Sequence, residues 1–195
     1  MKWNRLLMNI PLGFCLLLLL AGCSGSMSSV HDYTNAQMDF SAVHTVAVLP
    51  FQNLSADDQA AERVRDVFMG MLLTTEQIYV LPTGEVKRGI ALVGMRSPQT
   101  PTTEEITKLK NILKVDAVIT GVLREYGTVR SGSAEANLVS LSLQMVETQN
   151  GTTVWSASST KGGISMADRM LGSGGRPMND VTTQVINDLL DQLFE

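Results

Sequence analysis

The chain has two cysteines, Cys15 and Cys23, and two histidines, His31 and His44, in 195 residues. So few cysteines cannot form the framework of a disulfide scaffold. Charge is also sparse, at 17% of residues against 44% hydrophobic, which excludes a coiled-coil rod and a wholly disordered chain. The formal net charge is −4, so there is no basic excess of the kind nucleic-acid binders use. What remains is one ordinary domain with enough apolar material for a core. The apolar residues are unevenly spread, however, and the densest block stands at the very start.

Lys2 and Arg5 precede an apolar run of 12 residues, Ile10 to Ala21, centred on Leu16 to Leu20. A permanent spanning helix needs about 20 apolar residues, so the run is short for that and fits the core of an export signal. The ending Leu20-Ala21-Gly22-Cys23 resembles a bacterial lipobox. That resemblance implies cleavage before Cys23, a diacylglyceryl thioether on its sulfur and acylation of its new amino group. An ordinary signal peptide with an unrelated Cys, or an uncleaved anchor, is the competing reading. On the lipobox reading residues 1–22 are removed, the net charge moves from −4 to −6, and no free thiol is left. Several acyl chains on one residue give firm anchoring. Ser24, by analogy with enterobacterial sorting, directs the protein to the outer membrane, on its periplasmic side, with the cell surface as the alternative face.

Residues 24–43 are Ser-rich without sustained periodicity, and together with Cys23 they read as an acylated tether, 23–43. Twenty such residues have a mean reach of about 25 Å, which keeps the globular part near the membrane. A single domain is expected over 44–195. Thr45 to Phe51 is a buried strand, followed by a helix over about 57–74 with Ser55 and Asp58 as its cap and Ala61, Val64, Phe68, Met71 and Leu72 on one face. Ile78 to Pro82 is a second short strand, and Val86, Ile90 and Val93 suit a short helix over 84–93, against two Gly residues. Thr102 and Glu105 form a capping-box pair for a helix running to Lys114. Ala117 to Leu123 is a third strand. Next comes an alternation of Val139, Leu141, Leu143 and Met145 with Ser140, Ser142 and Gln144, which predicts one wet or partner-facing side. Asn150-Gly151 is a hairpin signal leading into Thr153 to Ala157. A Gly-rich loop at 161–176 precedes a final helix with Val181, Val185, Ile186, Leu189, Leu190 and Leu193 on a wide apolar face. The predicted order is β-α-β-α-α-β-β-β-α, an α/β fold with a mixed β-sheet flanked by helices.

No catalytic, cofactor or metal constellation emerges. His31 and His44 lie in or beside the tether, so a histidine relay would require that segment to fold back. Asp57-Asp58 and Glu104-Glu105 sit in first helical turns, where the helix dipole accounts for them. Gly172 to Arg176 precedes a helix but lacks the Lys-Ser/Thr ending of a phosphate loop. Met166, Met170, Leu171 and Arg176 mark that loop as a candidate protein-contact segment, since half-exposed Met makes an adaptable surface, with gap-filling in the core as the competing reading. The single Trp after the signal, Trp155, reads as core.

Three segments together resemble signatures of the bacterial lipoproteins related to CsgG, a group that includes PelC and LpoB. They are Val46-Ala47-Val48-Leu49-Pro50-Phe51 with Asn53, Val115 to Gly121, and Gly151-Thr152-Thr153-Val154-Trp155-Ser156. The likeness covers roughly 44–195. It implies a mixed sheet flanked by helices, no enzyme activity and a homo-oligomeric ring on the periplasmic face of the outer membrane. A complete CsgG-type transmembrane barrel is not expected. Each spanning strand needs about 9–11 residues, whereas the candidate hairpin at 124–137 is short and the one at 158–178 is broken by Gly and Pro. The expectation is therefore a non-enzymatic lipoprotein that forms an oligomeric structural component of a secretion or export assembly, with cell-envelope proteins as partners. The alternative is a monomeric adaptor or activator of an envelope enzyme or transporter, LpoB-like, against which the short tether argues.

Overall fold

The computed structural model describes residues 31–35, 40–132, 134–164 and 175–194. Among these residues one mixed sheet is formed by β1 (His31–Thr34), β2 (Thr45–Val48), β3 (Gln52–Asn53), β4 (Tyr79–Val80), β5 (Ala117–Ser131), β6 (Ala134–Glu147) and β7 (Thr153–Gly162). The spatial order is β1-β7-β6-β5-β2-β4, with β3 continuing beside β5 where β2 ends. Pairing is parallel for β2 with β4 and β5, and antiparallel from β5 through β6 and β7 to β1. Four helices flank it: α1 (Ala60–Thr74), α2 (Thr83–Val93), α3 (Thr103–Leu113) and α4 (Met178–Phe194). The expected mixed α/β fold is the one observed, and no described helix is long and apolar enough to cross a membrane.

Two apolar clusters explain why β2 reads as a continuous hydrophobic run. Val46 and Val48 face the larger cluster, built from α1, α4 and β5 to β7, while Ala47 faces a smaller one under α2 and α3. A parallel strand covered on both faces needs no polar side. At β5 the split persists, with Ile119 in the first cluster and Val118 in the second. Antiparallel β6 shows the predicted alternation: Val139, Leu141, Leu143 and Met145 are wholly buried against the α1/α4 side.

Several details differ from the sequence reading. The segment assigned to the tether contains β1, whose His31 to Thr34 pairs with Ser158 to Trp155, and a 3-10 turn at Phe40–Ala42. A weakly patterned stretch can form an edge strand because the ladder uses backbone groups and needs few apolar side chains. α1 starts at Ala60 rather than about 57, and Ser55 does not cap it. Instead the Ser55 hydroxyl and N–H donate to Asn53 Oδ1 at 2.8 and 3.0 Å, and Asp57 Oδ1 accepts from Gln59 N–H at 3.0 Å. These side chains close a turn before the helix, the usual competition of short polar side chains with helical pairing. β5 and β6 run to 15 and 14 residues, and β7 reaches Gly162, so the loop expected at 161–176 begins later.

Other expectations hold in detail. Thr102 and Glu105 make a reciprocal capping box at the start of α3. Gly151 has φ +70°, as the turn after Asn150 requires, and Asn150 Oδ1 accepts from Thr152 N–H at 2.9 Å.

Candidate interaction surface

The sheet is not covered equally on its two faces. On the α2/α3 side, Val118 and Val146 belong to the smaller core. Moving two residues at a time along the same face gives Thr120 and Val122 on β5, Gln144, Ser142 and Ser140 on β6, and Ser156, Ser158 and Thr160 on β7. None of these belongs to either core cluster. Tyr33, opposite Ser156 on the edge strand β1, is 55% exposed on this side. The result is a patch bearing many hydroxyls on the central antiparallel strands, and neither core extends over it.

The patch is ordered by its own pairs. Ser142 Oγ lies 2.8 Å from Ser158 Oγ, and Ser140 Oγ lies 2.8 Å from Thr160 Oγ1. Cross-strand hydroxyl pairs of this kind hold register while keeping spare acceptor capacity for a partner. Behind the patch the other face is pinned to α4. Ser159 Oγ donates to Asp188 Oδ2 at 2.9 Å, Lys161 Nζ lies 2.7 Å from the same oxygen, and Trp155 Nε1 donates to the Gln192 carbonyl at 3.2 Å. The surface therefore sits on a rigid support.

A second concave feature lies at the C-terminal end of α4. A cleft of about 580 Å³ has Phe40, Val43, Ile78, Trp155, Leu193 and Phe194 in its lining, with His44 among the polar groups at its border. It adjoins a groove of about 390 Å³ between the ends of α1 and α4, and both share Gln77 and Phe194.

The residues singled out from sequence are dispersed. Cys23, Met166, Met170 and Leu171 lie outside the described residues. Arg176 is exposed; its carbonyl accepts from Asn137 Nδ2 at 2.7 Å and its guanidinium reaches Gln184 Oε1, so it tethers the entry of α4 to the β5–β6 hairpin. The acidic pairs serve local structure: Asp57 binds Arg63, Glu105 caps α3, and Glu104 lies 2.8 Å from Lys108. His44 contributes its backbone N–H to Asp116 Oδ2 at 3.0 Å. Among the described residues no group of three or more His, Cys, Asp or Glu is placed to hold a metal ion.

Two features escape the sequence reading. Arg65 is 1% exposed and donates from Nε to the Leu49 carbonyl at 3.0 Å and from Nη2 to the Val48 carbonyl at 2.6 Å. Burial holds its guanidinium below its ordinary pKa, opposed by the Glu62 carboxylate 3.6 Å away. Its position between Ala61 and Phe68 on the apolar stripe was the available signal. Asp116, at the start of β5, accepts from the N–H groups of both His44 and Thr45, at 3.0 and 2.9 Å, and so sets the entry of β2.

The three signature segments meet in this framework. Phe51 lies over Gly121, where a Cβ would come within 2.6 Å of its ring, and Leu143 closes the other side at 2.8 Å. Trp155 packs in the same core. They are packing motifs, and they define the class: a helix-flanked, open mixed-sheet domain.

The chain belongs to the GNA1162-like lipoprotein family, whose model, described as "Putative lipoprotein GNA1162-like", matches residues 31–195. The "Putative lipoprotein NMB1124/NMB1162" of Neisseria meningitidis serogroup B is 26% identical over 186 residues, covering 94% of this chain and 84% of that one. Among solved structures, the PelC dodecamer from Paraburkholderia phytofirmans superposes with a TM-score of 0.58 at 15% identity, over 86% of this chain and 97% of that chain. Lipoprotein GNA1162 from Neisseria meningitidis does so with a TM-score of 0.53 at 23% identity, over 76% and 99%. The helix-flanked mixed sheet expected from the three signatures is thus the fold this lipoprotein family member shares with PelC and GNA1162.

Proposed function

We propose that this protein is an oligomeric structural lipoprotein, anchored through acylated Cys23 to the periplasmic side of the outer membrane, that supports a secretion or export assembly. The observation that carries the reading is the hydroxyl-bearing patch of Ser140, Ser142, Ser158 and Thr160, half-buried yet outside both cores. Such a face suits a contact between copies, being polar enough to stay soluble when free and ordered enough to dock without much side-chain entropy loss. The dodecamer named for PelC supports self-assembly as a property this fold can carry. Membership of a lipoprotein family supports the Cys23 anchor. No enzyme activity is assigned.

Light scattering and cross-linking of the lipidated protein, in detergent and on vesicles, test the proposal. A defined oligomer is expected; a strictly monomeric protein at high concentration on both supports would overturn it. A second reading, an adaptor for one envelope enzyme or transporter, is favoured by the apolar cleft at the end of α4. Recovery of one stoichiometric partner by a protein that does not self-associate would select it.

A further inference from the structure

β1 fixes the direction from which the anchored chain arrives. Its His31 lies opposite Ser158, Ser158 opposite Ser142, and Ser142 opposite Val122. Since β1 then descends to Thr34 beside Trp155, the residues before His31 enter from the end of the sheet where β7 finishes and the β5–β6 hairpin projects. Along β6, from Ser142 to Ala134, the hairpin extends by about 27 Å at ~3.4 Å per residue. Cys23 precedes His31 by the same eight residues, and a fully extended chain of that length spans at most about 29 Å. In that direction, a lipid on residue 23 cannot hold the bilayer surface appreciably beyond the hairpin turn.

We infer that the turn end of the β5–β6 hairpin rests on the bilayer at headgroup level, standing the sheet upright on the membrane. The inference rests on the Cys23-anchored reading above. The chemistry of the hairpin end fits a lipid surface. Arg130 and Glu135 form a cross-strand pair at 3.1 Å with exposed side chains, and Thr128 Oγ1 donates to Asn137 Oδ1 at 3.2 Å. The paired charges balance, so the hairpin end is polar without being anionic, and the exposed guanidinium can still donate to phosphate oxygens. The segment 124–137 (REYGTVRSGSAEAN) has 14 residues, too few for two spanning strands of ~9–11 each, so it stops at the headgroups. The base of the hairpin is stiff, with Tyr126 packed on the core beside the Arg63 guanidinium, 5.7 Å from its ring centre. This orientation places the strands that carry the hydroxyl patch upright and leaves the patch facing sideways, toward neighbouring copies on the same membrane.

Depth-dependent quenching tests this on the full chain, produced with its signal in a Gram-negative host. The lipidated protein is placed in phosphatidylethanolamine–phosphatidylglycerol vesicles carrying spin labels at the headgroup or deep in the acyl chain. Val129→Cys and Gln149→Cys variants, each with an environment-sensitive fluorophore, report the hairpin and the opposite turn. The headgroup label should remove most of the Val129→Cys fluorescence, the deep label much less, and neither should change the Gln149→Cys signal. Quenching at position 149 in place of 129, quenching at neither, or dominance of the deep label would overturn the inference. Mass spectrometry of Cys23 separates the failures. An unacylated Cys23 removes the anchor reading along with this one, whereas an acylated, vesicle-bound protein with unquenched position 129 removes the orientation alone.

Discussion

The Arg65 guanidinium lies inside the core of the domain with its Nε 3.0 Å from the carbonyl oxygen of Leu49, tying α1 to the end of the central parallel strand β2. A buried charge is tolerated only where its donors are satisfied, and Arg65 satisfies the carbonyls of Val48 and Leu49 in return. Replacing it with Met leaves those carbonyls without their donor. Arg65→Met should lose about 2–4 kcal/mol of stability, seen as a lower urea midpoint, while Arg65→Lys keeps the charge but not the fork and should fall between the two.

Gly121 leaves room for the Phe51 ring, and a methyl group there would press on both Phe51 and Leu143. Gly121→Ala should destabilise the domain by about 1–3 kcal/mol through overpacking. A compensating Phe51→Leu change should recover part of that loss, so thermal melts of the single and double variants form the check.

Asp116 joins the entry of β2 to β5 by accepting two backbone N–H groups through one carboxylate oxygen. Asp116→Ala should cost about 1–3 kcal/mol, and Asp116→Asn, which retains an acceptor, clearly less. Hydrogen exchange should show faster exchange of the His44 and Thr45 amides in the Ala variant.

The exposed Glu104–Lys108 pair holds the Glu104 carboxyl below its ordinary pKa, chiefly through the Lys108 hydrogen bond and then its charge. A depressed carboxylate contributes stability above its unfolded pKa and loses it as pH falls through the lowered value. Its contribution is therefore complete above about pH 5 and disappears on the acid side of about pH 4. Glu104→Gln should leave melts at pH 7 nearly unchanged and slightly flatten the acid-side decline, an effect erased at about 1 M salt.

Ser142 and Ser158 face each other on the open patch at 2.8 Å. Ser158→Arg should leave the circular dichroism melt close to that of the parent while reducing the oligomer to smaller species by light scattering. An unchanged oligomer would remove this patch from the assembly contact.

The parts of the fold legible before folding were those whose physics is local. Val139 to Met145 alternate because one face of β6 is dry, and the Thr102–Glu105 box closes within a single helical turn. β1 is not legible in the sequence, because its side chains carry no pattern and its backbone pairs with Ser158 to Trp155, more than a hundred residues away. The role of Arg65 is not legible in the sequence, because its partners are the Val48 and Leu49 backbone carbonyls, which the packing of α1 on β2 brings to it.

By itself the sequence determined the alternation of strands and helices, the burial of β2, the alternating face of β6 and the capping box of α3, all of which depend on residue type and short-range spacing. Only the tertiary structure decided that His31 to Thr34 form an edge strand, that Gly121 admits Phe51, and that six hydroxyl-bearing positions from three strands share one uncovered face. Those are long-range facts: a strand's partner, and the coverage of its far face, are set by register across the sheet and by where distant helices pack.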